Sequence, residues 1–350
     1  MIRVAIIGAG KVAQQHLACL AGLPNVRVVG VCDLSRVLGE CAVDRYGAET
    51  WFTNHEKMLQ EARPDVVHIT TPPASHFRLT RDCLNAGCHV FLEKPATLNF
   101  EEFAALKALA EEKGKRLIED YNYLFNEPVR RLLEQVDKGE LGEVAHVEVH
   151  LCLNVLDKDY PAVDPNIHNP VLDLTGGVIA DFLPHLASLA YFFCGPVVSV
   201  RTLWDKRTPS SPLPYDEFRA LLRGARATAE LVFSAHAQPD AFRVTVFGSR
   251  GRAVADIFEH RLTCATQRNV PKPLVPLVNA LEEAKVVRRS AWRLLMRKLS
   301  GGPGAYEGLW LLIAQVYESI AAGKPSPISP ESMFEVNRLV EELKKEGNRA

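Results

Sequence analysis

The opening of the chain constrains its fold more than any other segment. The mostly apolar run from Arg3 to Ile7 leads directly into Gly8-Ala9-Gly10-Lys11-Val12-Ala13, and a second apolar run, residues 26–32, ends at Asp33. A continuous apolar stretch is typical of a buried parallel strand. The glycines allow a tight turn and let backbone amides approach a pyrophosphate at the N-terminus of the next helix. A carboxylate about 20 residues later can accept hydrogen bonds from ribose hydroxyls, so the pattern predicts a dinucleotide-binding unit.

Length and charge exclude several classes of protein. A chain of 350 residues is long for one core and predicts two domains of about 100 to 200 residues each. The 41 basic and 42 acidic residues nearly cancel, which gives no reason to expect a nucleic-acid partner. The eight cysteines contain no Cys-x-x-Cys pair, so we expect reduced, buried thiols and no metal site. No apolar run approaches the roughly 18 residues of a membrane span, and no signal peptide is evident, so we predict a cytoplasmic protein.

Residues 1–121 alternate apolar runs with helical patterns, which is typical of a doubly wound parallel sheet with helices on both faces. The predicted strands are 4–7, 26–32, 66–70, 89–92 and 116–121. The predicted helices are 12–21, 36–46, 56–60, 76–86 and 100–113. Gly47, Gly87 and Gly114 follow helical patterns, where left-handed caps are expected. We predict that this segment is a dinucleotide-binding domain of the Rossmann type.

Beyond residue 121 the pattern changes to strands with a period of two. The predicted strands are 144–153, 197–204, 228–235, 242–248, 253–258 and 262–266. The predicted helices are 128–138, 177–193, 308–322 and 330–345. This alternation predicts a mainly antiparallel open sheet. The chain is therefore expected to be an α/β protein in which a C-terminal α+β domain, residues 122–350, binds substrate and forms oligomers.

Two strand ends carry side chains suited to chemistry. The segment Thr71-Pro72-Pro73-Ala74-Ser75-His76 follows an apolar strand, where open parallel sheets bind ligands. His76 could contact the nicotinamide or ribose, or could simply begin the next helix. Glu93-Lys94-Pro95 ends another apolar strand, where partial desolvation would lower the pKa of the lysine and suit it to proton transfer. A surface ion pair is the alternative interpretation of this second segment.

Asp181 and His185 lie four residues apart in the predicted helix that follows Gly176-Gly177. This spacing puts both side chains on one helix face, where a carboxylate can orient an imidazole and raise its pKa. Such a histidine can accept a hydroxyl proton while a hydride leaves the same carbon. A surface contact is the alternative for an isolated pair of this kind.

Taken together, these motifs resemble the Gfo/Idh/MocA oxidoreductases, the family of glucose–fructose oxidoreductase and inositol 2-dehydrogenase, along nearly the whole chain. The resemblance rests on Gly8-Ala9-Gly10, Asp33, the Thr71-Pro72-Pro73 turn with His76, Glu93-Lys94-Pro95, the Gly139-Glu140-Leu141-Gly142 turn, and the Gly-Gly…Asp181…His185 helix. It implies that Lys94, Asp181 and His185 face the nicotinamide and the substrate. It also implies hydride transfer between NAD(P) and a secondary alcohol or ketone of a sugar, inositol or sugar nucleotide. The chain departs from the family pattern at Leu183, usually glycine, and at Pro73, frequently asparagine.

The predicted site residues fall into two groups. The cofactor contacts are Gly8, Gly10, Lys11, Val12, Asp33, Leu34, Thr71, Pro72, His76, Glu93, Lys94 and Asn122. The substrate contacts are Lys94, Asn154, Tyr160, His168, Asp181 and His185, three of them in a polar loop over 154–173. Asp33 favours NAD, because a carboxylate repels the 2′-phosphate of NADP. Arg36 keeps NADP open, because it is close enough in sequence to neutralise that phosphate.

We expect His185 to take the hydroxyl proton, Asp181 to orient His185, and Lys94 to hydrogen-bond the same oxygen. Two other functions remain open at this point. One is an NAD-dependent glycoside hydrolase of the same fold, and the other is a cofactor-binding regulator that has lost catalysis. Retention of all three side chains argues against the regulator.

The second domain also suggests partners. Residues 277–299 combine an apolar stripe that includes Leu277, Leu281 and Leu295 with basic residues such as Arg288 and Arg289. Contact with a membrane or an acidic partner is one interpretation, and an amphipathic helix docked on its own domain is the favoured one. The strand over 144–153 has no purely polar face, and this feature, with the family resemblance, predicts a homodimer or homotetramer.

Overall fold

The computed structural model describes residues 1–155, 170–300 and 304–345. It divides into two compact units, Met1–Asn122 with Leu309–Asn337, and Tyr123–Gly308 with Arg338–Ala350. The first boundary lies next to the predicted one, but residues 309–337 belong to the first unit rather than the second. They complete it by satisfying buried polar groups. The Tyr317 hydroxyl lies 2.8 Å from Nε2 of His68, and Asn337 donates a 2.6 Å hydrogen bond to Glu119.

A six-stranded sheet forms the centre of the first unit, in the order β3-β2-β1-β4-β5-β6 with every pairing parallel. Its strands are β1 (Ile2–Ile7), β2 (Val26–Cys32), β3 (Trp51–Phe52), β4 (Val66–Ile69), β5 (His89–Leu92) and β6 (Leu117–Glu119). The helices between them are α1 (Lys11–Ala21), α2 (Arg36–Tyr46), α3 (His55–Ala62), α4 (His76–Asn85) and α5 (Phe100–Glu112). The predicted doubly wound parallel sheet is confirmed, and only the two-residue strand β3 was not predicted.

The second unit is built on a seven-stranded sheet, in the order β13-β12-β11-β7-β10-β9-β8. Its strands are β7 (Val144–Cys152), β8 (Val197–Asp205), β9 (Glu217–Gly224), β10 (Thr228–Ser234), β11 (Ala241–Gly248), β12 (Gly251–Asp256) and β13 (Arg261–Thr266). The remaining helices in the described part of the chain are α6 (Glu127–Asp137), α7 (Gly177–Cys194), α8 (Val275–Ser300), α9 (Glu307–Ala321) and α10 (Pro330–Lys345). Among the described strands of this sheet, only β7 and β10 pair in parallel, so the predicted mainly antiparallel sheet is confirmed.

Helix α7 forms the core of the second unit. It packs against β7, whose inward-facing Val147, Val149 and Leu151 are fully buried. By length and a mean hydropathy of 1.4, α7 is the one helix among the described residues that could cross a membrane, a feature the sequence analysis did not predict. However, 78% of it is buried inside the structure, and it carries Asp181 and His185. Its apolar composition is therefore accounted for by core packing.

Helix α8 docks on β13 of its own unit, as the favoured interpretation of residues 277–299 expected, but through a face other than the leucine stripe. The predicted leucine stripe does not dock on its own unit, because Leu277, Leu281 and Leu295 are all exposed. The helix is instead held by polar contacts of Asn279 and Ser290 on another face. The periodicity correctly predicted a helix, but it could not show which face packs, because basic residues lie on both flanks of the stripe.

Candidate functional site

Gly8 turns the chain at the end of β1. Its φ is +96°, and a Cβ at this position would lie 3.0 Å from the backbone of Thr70. The Gly8 amide donates to the Cys32 carbonyl (2.8 Å), and the Thr70 hydroxyl donates to the Gly8 carbonyl (2.9 Å). Only glycine tolerates both this conformation and this approach. The ends of β1, β2 and β4 are therefore tied together at one turn.

Gly10 stands at the N-cap of α1, with no side-chain hydrogen bond to cap the helix. A Cβ on Gly10 would meet no atom within 4 Å, so the space beside the first turn is open. Unsatisfied amides and the helix dipole make such a position favourable for an anion. The open space at Gly10 fits the pyrophosphate of a dinucleotide.

Asp33 follows β2 and faces the same turn. Its Oδ2 accepts a 2.7 Å hydrogen bond from the Ala9 amide, and its Oδ1 accepts one of 2.7 Å from the Ser35 amide. Each carboxylate oxygen can accept a further hydrogen bond, which leaves capacity for ribose hydroxyls. Arg36 turns elsewhere, because its Nε lies 2.7 Å from Oε1 of Glu40 and its guanidinium lies 5.5 Å over the ring of Trp51.

A cavity of about 540 Å³ opens between these strand ends. Six of the predicted cofactor contacts line it: Gly8, Gly10, Asp33, Leu34, Thr71 and Pro72. Six others do not: Lys11, Val12, His76, Glu93, Lys94 and Asn122. Thr53, His55 and Arg78 also line it, outside the motifs singled out in the sequence. Thr53 and His55 follow β3, a strand too short to leave a pattern, and Arg78 lies on α4 directly after the predicted turn.

His76 is fully buried, and its ring contacts two backbone carbonyls. Its Nε2 lies 2.7 Å from the Thr71 carbonyl and its Nδ1 lies 2.9 Å from the Pro95 carbonyl. Burial lowers the pKa of this imidazole, and the two carbonyl contacts only partly offset that effect. The ring is enclosed by these contacts, and its contact with the cofactor stays a prediction. His76 joins the Thr71 turn to the corner that carries Lys94.

Glu93 is also buried and holds that corner from inside the unit. Its Oε1 lies 2.9 Å from Nε2 of His16, and its Oε2 accepts a 3.3 Å hydrogen bond from the Lys94 amide. Burial raises the pKa of Glu93, but the hydrogen bond from His16 and the charge of Lys94 outweigh it and leave the pKa lowered. The carboxylate therefore stays ionised beside Lys94, whose side chain is half-buried.

Two further polar side chains follow β6. The pKa of Asp120 is raised well above its ordinary value, first by burial and then by the charge of Glu93. The Oδ1 atoms of Asp120 and Asn122 are buried without a hydrogen-bond partner among the described residues. Buried polar atoms of this kind are normally satisfied by protein, water or ligand. Asn122 therefore keeps its predicted capacity to contact a bound molecule, although it does not line the cavity.

In the second unit, two glycines shape the start of α7. Gly176 has φ +92° and Gly177 has φ +57°. A Cβ on Gly176 would lie 2.9 Å from the ring of Trp204, and one on Gly177 would lie 3.0 Å from Pro214. Side chains are excluded at both positions, which explains the Gly-Gly pair of the motif.

Asp181 and His185 follow one turn apart on α7, as predicted. His185 is almost completely buried, and the ring of Tyr123 meets its ring edge-on at 4.6 Å. Tyr123 could not be predicted from the sequence, because a single aromatic residue after a strand carries no pattern. Leu183, the departure from the family glycine, is fully buried on the core side of the helix.

The predicted substrate contacts are only partly described. Asn154 lies just after β7 and is half-buried, and its backbone amide donates a 2.9 Å hydrogen bond to Oδ1 of Asp240. Tyr160 and His168 lie outside the described residues.

Comparison with known proteins agrees with this architecture. A family model described as the oxidoreductase family with an NAD-binding Rossmann fold matches residues 2–121, and the model of the GFO/IDH/MocA C-terminal domain matches residues 129–254. The chain is 35% identical to D-glucoside 3-dehydrogenase of Escherichia coli (strain K12) over 41% of each chain. It is 27% identical to inositol 2-dehydrogenase of Rhizobium meliloti (strain 1021) over 73% of this chain and 76% of that one.

A solved structure shares the fold over almost the whole length. The WlbA dehydrogenase from Bordetella pertussis, crystallised with NADH and UDP-GlcNAcA, superposes with a TM-score of 0.80 at 17% identity, over 99% of this chain and 96% of that one. The two family models together match more than half of the chain, in the predicted order of domains. The resemblance inferred from the sequence motifs is thereby confirmed, and the chain belongs to the Gfo/Idh/MocA oxidoreductase family, with an N-terminal NAD-binding Rossmann domain.

Proposed function

We propose that the protein is an NAD-dependent dehydrogenase or ketoreductase acting on a secondary alcohol or ketone of a sugar, inositol or sugar nucleotide. The observation that carries the proposal is the open position at Gly10, beside a carboxylate at Asp33 that keeps acceptor capacity. The names of the two relatives, a glucoside and an inositol dehydrogenase, support the substrate class.

NAD, when bound, supplies a nicotinamide that accepts a hydride from the substrate carbon. The chain's own residues bind and orient the cofactor. Backbone amides at the start of α1 would hold the pyrophosphate, and Asp33 would accept hydrogen bonds from the adenosine ribose. Gly8 keeps the turn close enough to the strand ends for both contacts.

Proton transfer is assigned to the remaining motif residues. His185 would accept the hydroxyl proton, which requires the neutral imidazole. The edge-on packing of Tyr123 limits rotation of that ring, and Asp181, one turn earlier, would orient it. Lys94 would donate a hydrogen bond to the substrate oxygen, with its backbone held by the buried Glu93 carboxylate.

A cofactor-reduction screen over sugars, inositols and nucleotide sugars tests this proposal. The expected result is substrate-dependent formation of NADH in stoichiometric amounts. Sugar release without net NADH would support the NAD-dependent glycoside hydrolase instead. Cofactor binding with no turnover on any glycoside, sugar, inositol or nucleotide sugar would support the regulator. The proposed partner is thus a small polyhydroxylated molecule, and the proposed location is the cytoplasm.

A further inference from the structure

One face of α8 carries an exposed apolar stripe, hereafter the α8 stripe. It consists of Leu277, Leu281, Trp292, Leu295 and Leu299, whose spacings of three, four and eleven residues return to the same side of a helix. Their exposed fractions are 56%, 57%, 66%, 50% and 73%. Half of the large apolar side chains that are exposed in the described residues lie between Leu274 and Leu299. Exposed apolar surface concentrated in this way marks an interaction site.

The α8 stripe has no role in packing the helix on its own unit. The opposite face makes the contacts, through a 3.2 Å hydrogen bond from Asn279 to the Thr266 carbonyl and one of 2.6 Å from Ser290 to the Glu259 carbonyl. Arg293, on the same side, lies 3.6 Å from Glu127. The helix is therefore held in place while its apolar face stays available.

Cations lie within and beside the α8 stripe. Lys285 and Arg288 interrupt it near its middle, and Arg289 borders it. Lys285 pairs with Glu282 at 2.9 Å, whereas neither arginine forms an ion pair within the described part of the chain. Arg289 also lines a cavity of about 70 Å³ whose walls include Arg131, Arg261 and Arg293. Apolar residues flanked by cations suit an anionic surface.

A second copy of the chain fits this surface poorly. Because Lys285 and Arg288 lie near the middle of the α8 stripe, symmetric pairing of two stripes would bring these cations against the same residues of the partner. Like charges at the centre of an interface oppose association. Anionic headgroups would instead neutralise them, while the aliphatic stems of both residues extend the apolar face.

We propose that the α8 stripe binds the surface of a membrane that contains anionic phospholipid. The helix has 26 residues and lies parallel to the membrane plane over about 39 Å. The leucines and Trp292 enter the boundary between headgroups and acyl chains, and the arginines bind headgroup phosphates. The inference is independent of the proposed enzymatic activity.

Sedimentation with vesicles tests the proposal on the full-length protein. One set contains phosphatidylcholine only, and the other contains phosphatidylcholine with phosphatidylglycerol. We expect the anionic vesicles to bind at least about tenfold more protein, and added salt to weaken that binding. The double variant Arg288→Gln/Arg289→Gln should lose about fivefold in affinity per arginine.

A charge-neutral variant isolates the apolar contribution. Trp292→Ser/Leu295→Ser should abolish binding to anionic vesicles, whereas Leu98→Ser/Val198→Ser, at exposed apolar positions outside α8, should not change it. Cofactor affinity and melting temperature show that each variant is folded. Absence of wild-type binding to anionic vesicles would overturn the proposal. Equal binding by Trp292→Ser/Leu295→Ser and Leu98→Ser/Val198→Ser would overturn it as well. Self-association through the α8 stripe would be shown instead if the wild type does not bind vesicles and light scattering gives a mass below that of the wild type only for Trp292→Ser/Leu295→Ser.

Discussion

The Nδ1 atoms of His16 and His68 lie 2.8 Å apart in the core of the first unit. His16 also contacts Glu93 through Nε2 at 2.9 Å, and Nε2 of His68 lies 2.8 Å from the Tyr317 hydroxyl. All four groups are satisfied when Tyr317 donates to His68, His68 to His16, and His16 to the Glu93 carboxylate. This buried chain of hydrogen bonds ends one residue before Lys94, so it couples the stability of the unit to the position of that lysine.

The first prediction concerns pH and follows from His68. Complete burial and the neighbouring His16 hold the pKa of His68 well below its ordinary value of 6.5. Below that pH the unfolded chain binds a proton that the folded chain does not, so the free energy of unfolding falls as the pH decreases. The expected slope for one such histidine is about 1.4 kcal/mol per pH unit. Denaturant unfolding between pH 5 and pH 8, roughly the range of histidine titration, measures it.

Other buried groups also contribute to the pH dependence of the free energy of unfolding, so the contribution of His68 has to be isolated by comparing variants. Burial raises the pKa values of Glu119 and Asp120, and their contribution has the opposite sign, because the folded chain then holds the extra proton. His68→Asn should remove one histidine's share of the slope. The control Tyr317→Phe lowers stability but keeps His68 buried, and so should keep the slope. An unchanged slope in His68→Asn would contradict the assignment.

The second prediction separates binding from folding at two neighbouring glycines. Gly10→Val places a side chain in open space where the pyrophosphate is expected, so NAD affinity should fall by about tenfold or more, with little change in melting temperature. Gly8→Val forces a strained backbone against Thr70 and should destabilise the fold by about 2 kcal/mol or more. Calorimetric titration and thermal unfolding measure the two effects. Normal NAD affinity in folded Gly10→Val would show that the open space beside Gly10 is not the cofactor site.

Much of the fold was predictable because its signals are local. The apolar runs of β1, β2 and β5 are buried on both sides and stand out from the helices around them. Gly8 could be assigned a role from its place between a strand and a helix. Strand β9 was missed although Phe218, Ala220 and Leu222 alternate inward, because charged residues and prolines dominate its surroundings.

What could not be predicted depends on tertiary contacts. Nothing in the sequence near His68 indicates that Tyr317, far along the chain, supplies its hydrogen bond. The exposure of Leu281 likewise follows from which face of α8 meets β13, not from periodicity. His76 illustrates the same limit at the site, because its ring could have pointed to the cofactor or inward from an identical sequence.

The third prediction is a preference for NAD over NADP. Asp33 would repel a 2′-phosphate, and Arg36 is already engaged with Glu40 and Trp51. Titration with both cofactors should give tighter binding of NAD, and Asp33→Ala should narrow the difference. Arg78 is the cation that could oppose this preference, because it lines the same cavity. Tighter NADP binding that is lost in Arg78→Gln would reverse the prediction and identify its cause.

The fourth prediction is a symmetric homo-oligomer formed through the outer face of the second-unit sheet. Leu221 on β9 pairs with Glu230 on β10, which pairs with Glu148 on β7, so these side chains share one face. Helix α7 covers only the inner face of the sheet, and Leu203 and Leu221 on the outer face are both exposed. Light scattering should give a dimer or tetramer mass, and Leu221→Glu should dissociate it. A monomeric wild type would contradict this interface.

The last prediction tests the proposed proton-transfer residues against their simplest alternative, a structural role. On a substrate found in the screen, Lys94→Ala and His185→Ala should each lower turnover by about a hundredfold or more, the usual effect of removing a positioned acid or base. His236→Ala provides the control, because His236 is a partly exposed histidine of the same unit outside the motif. If His185 only supported the core, its replacement would lower the melting temperature and leave the turnover of the folded enzyme intact. If it accepts the proton, turnover should fall and its dependence on pH should change, while NAD affinity stays the same. Near wild-type turnover in folded His185→Ala would therefore remove it as the base, and Lys94 and Asp181 would be the remaining candidates among the motif residues.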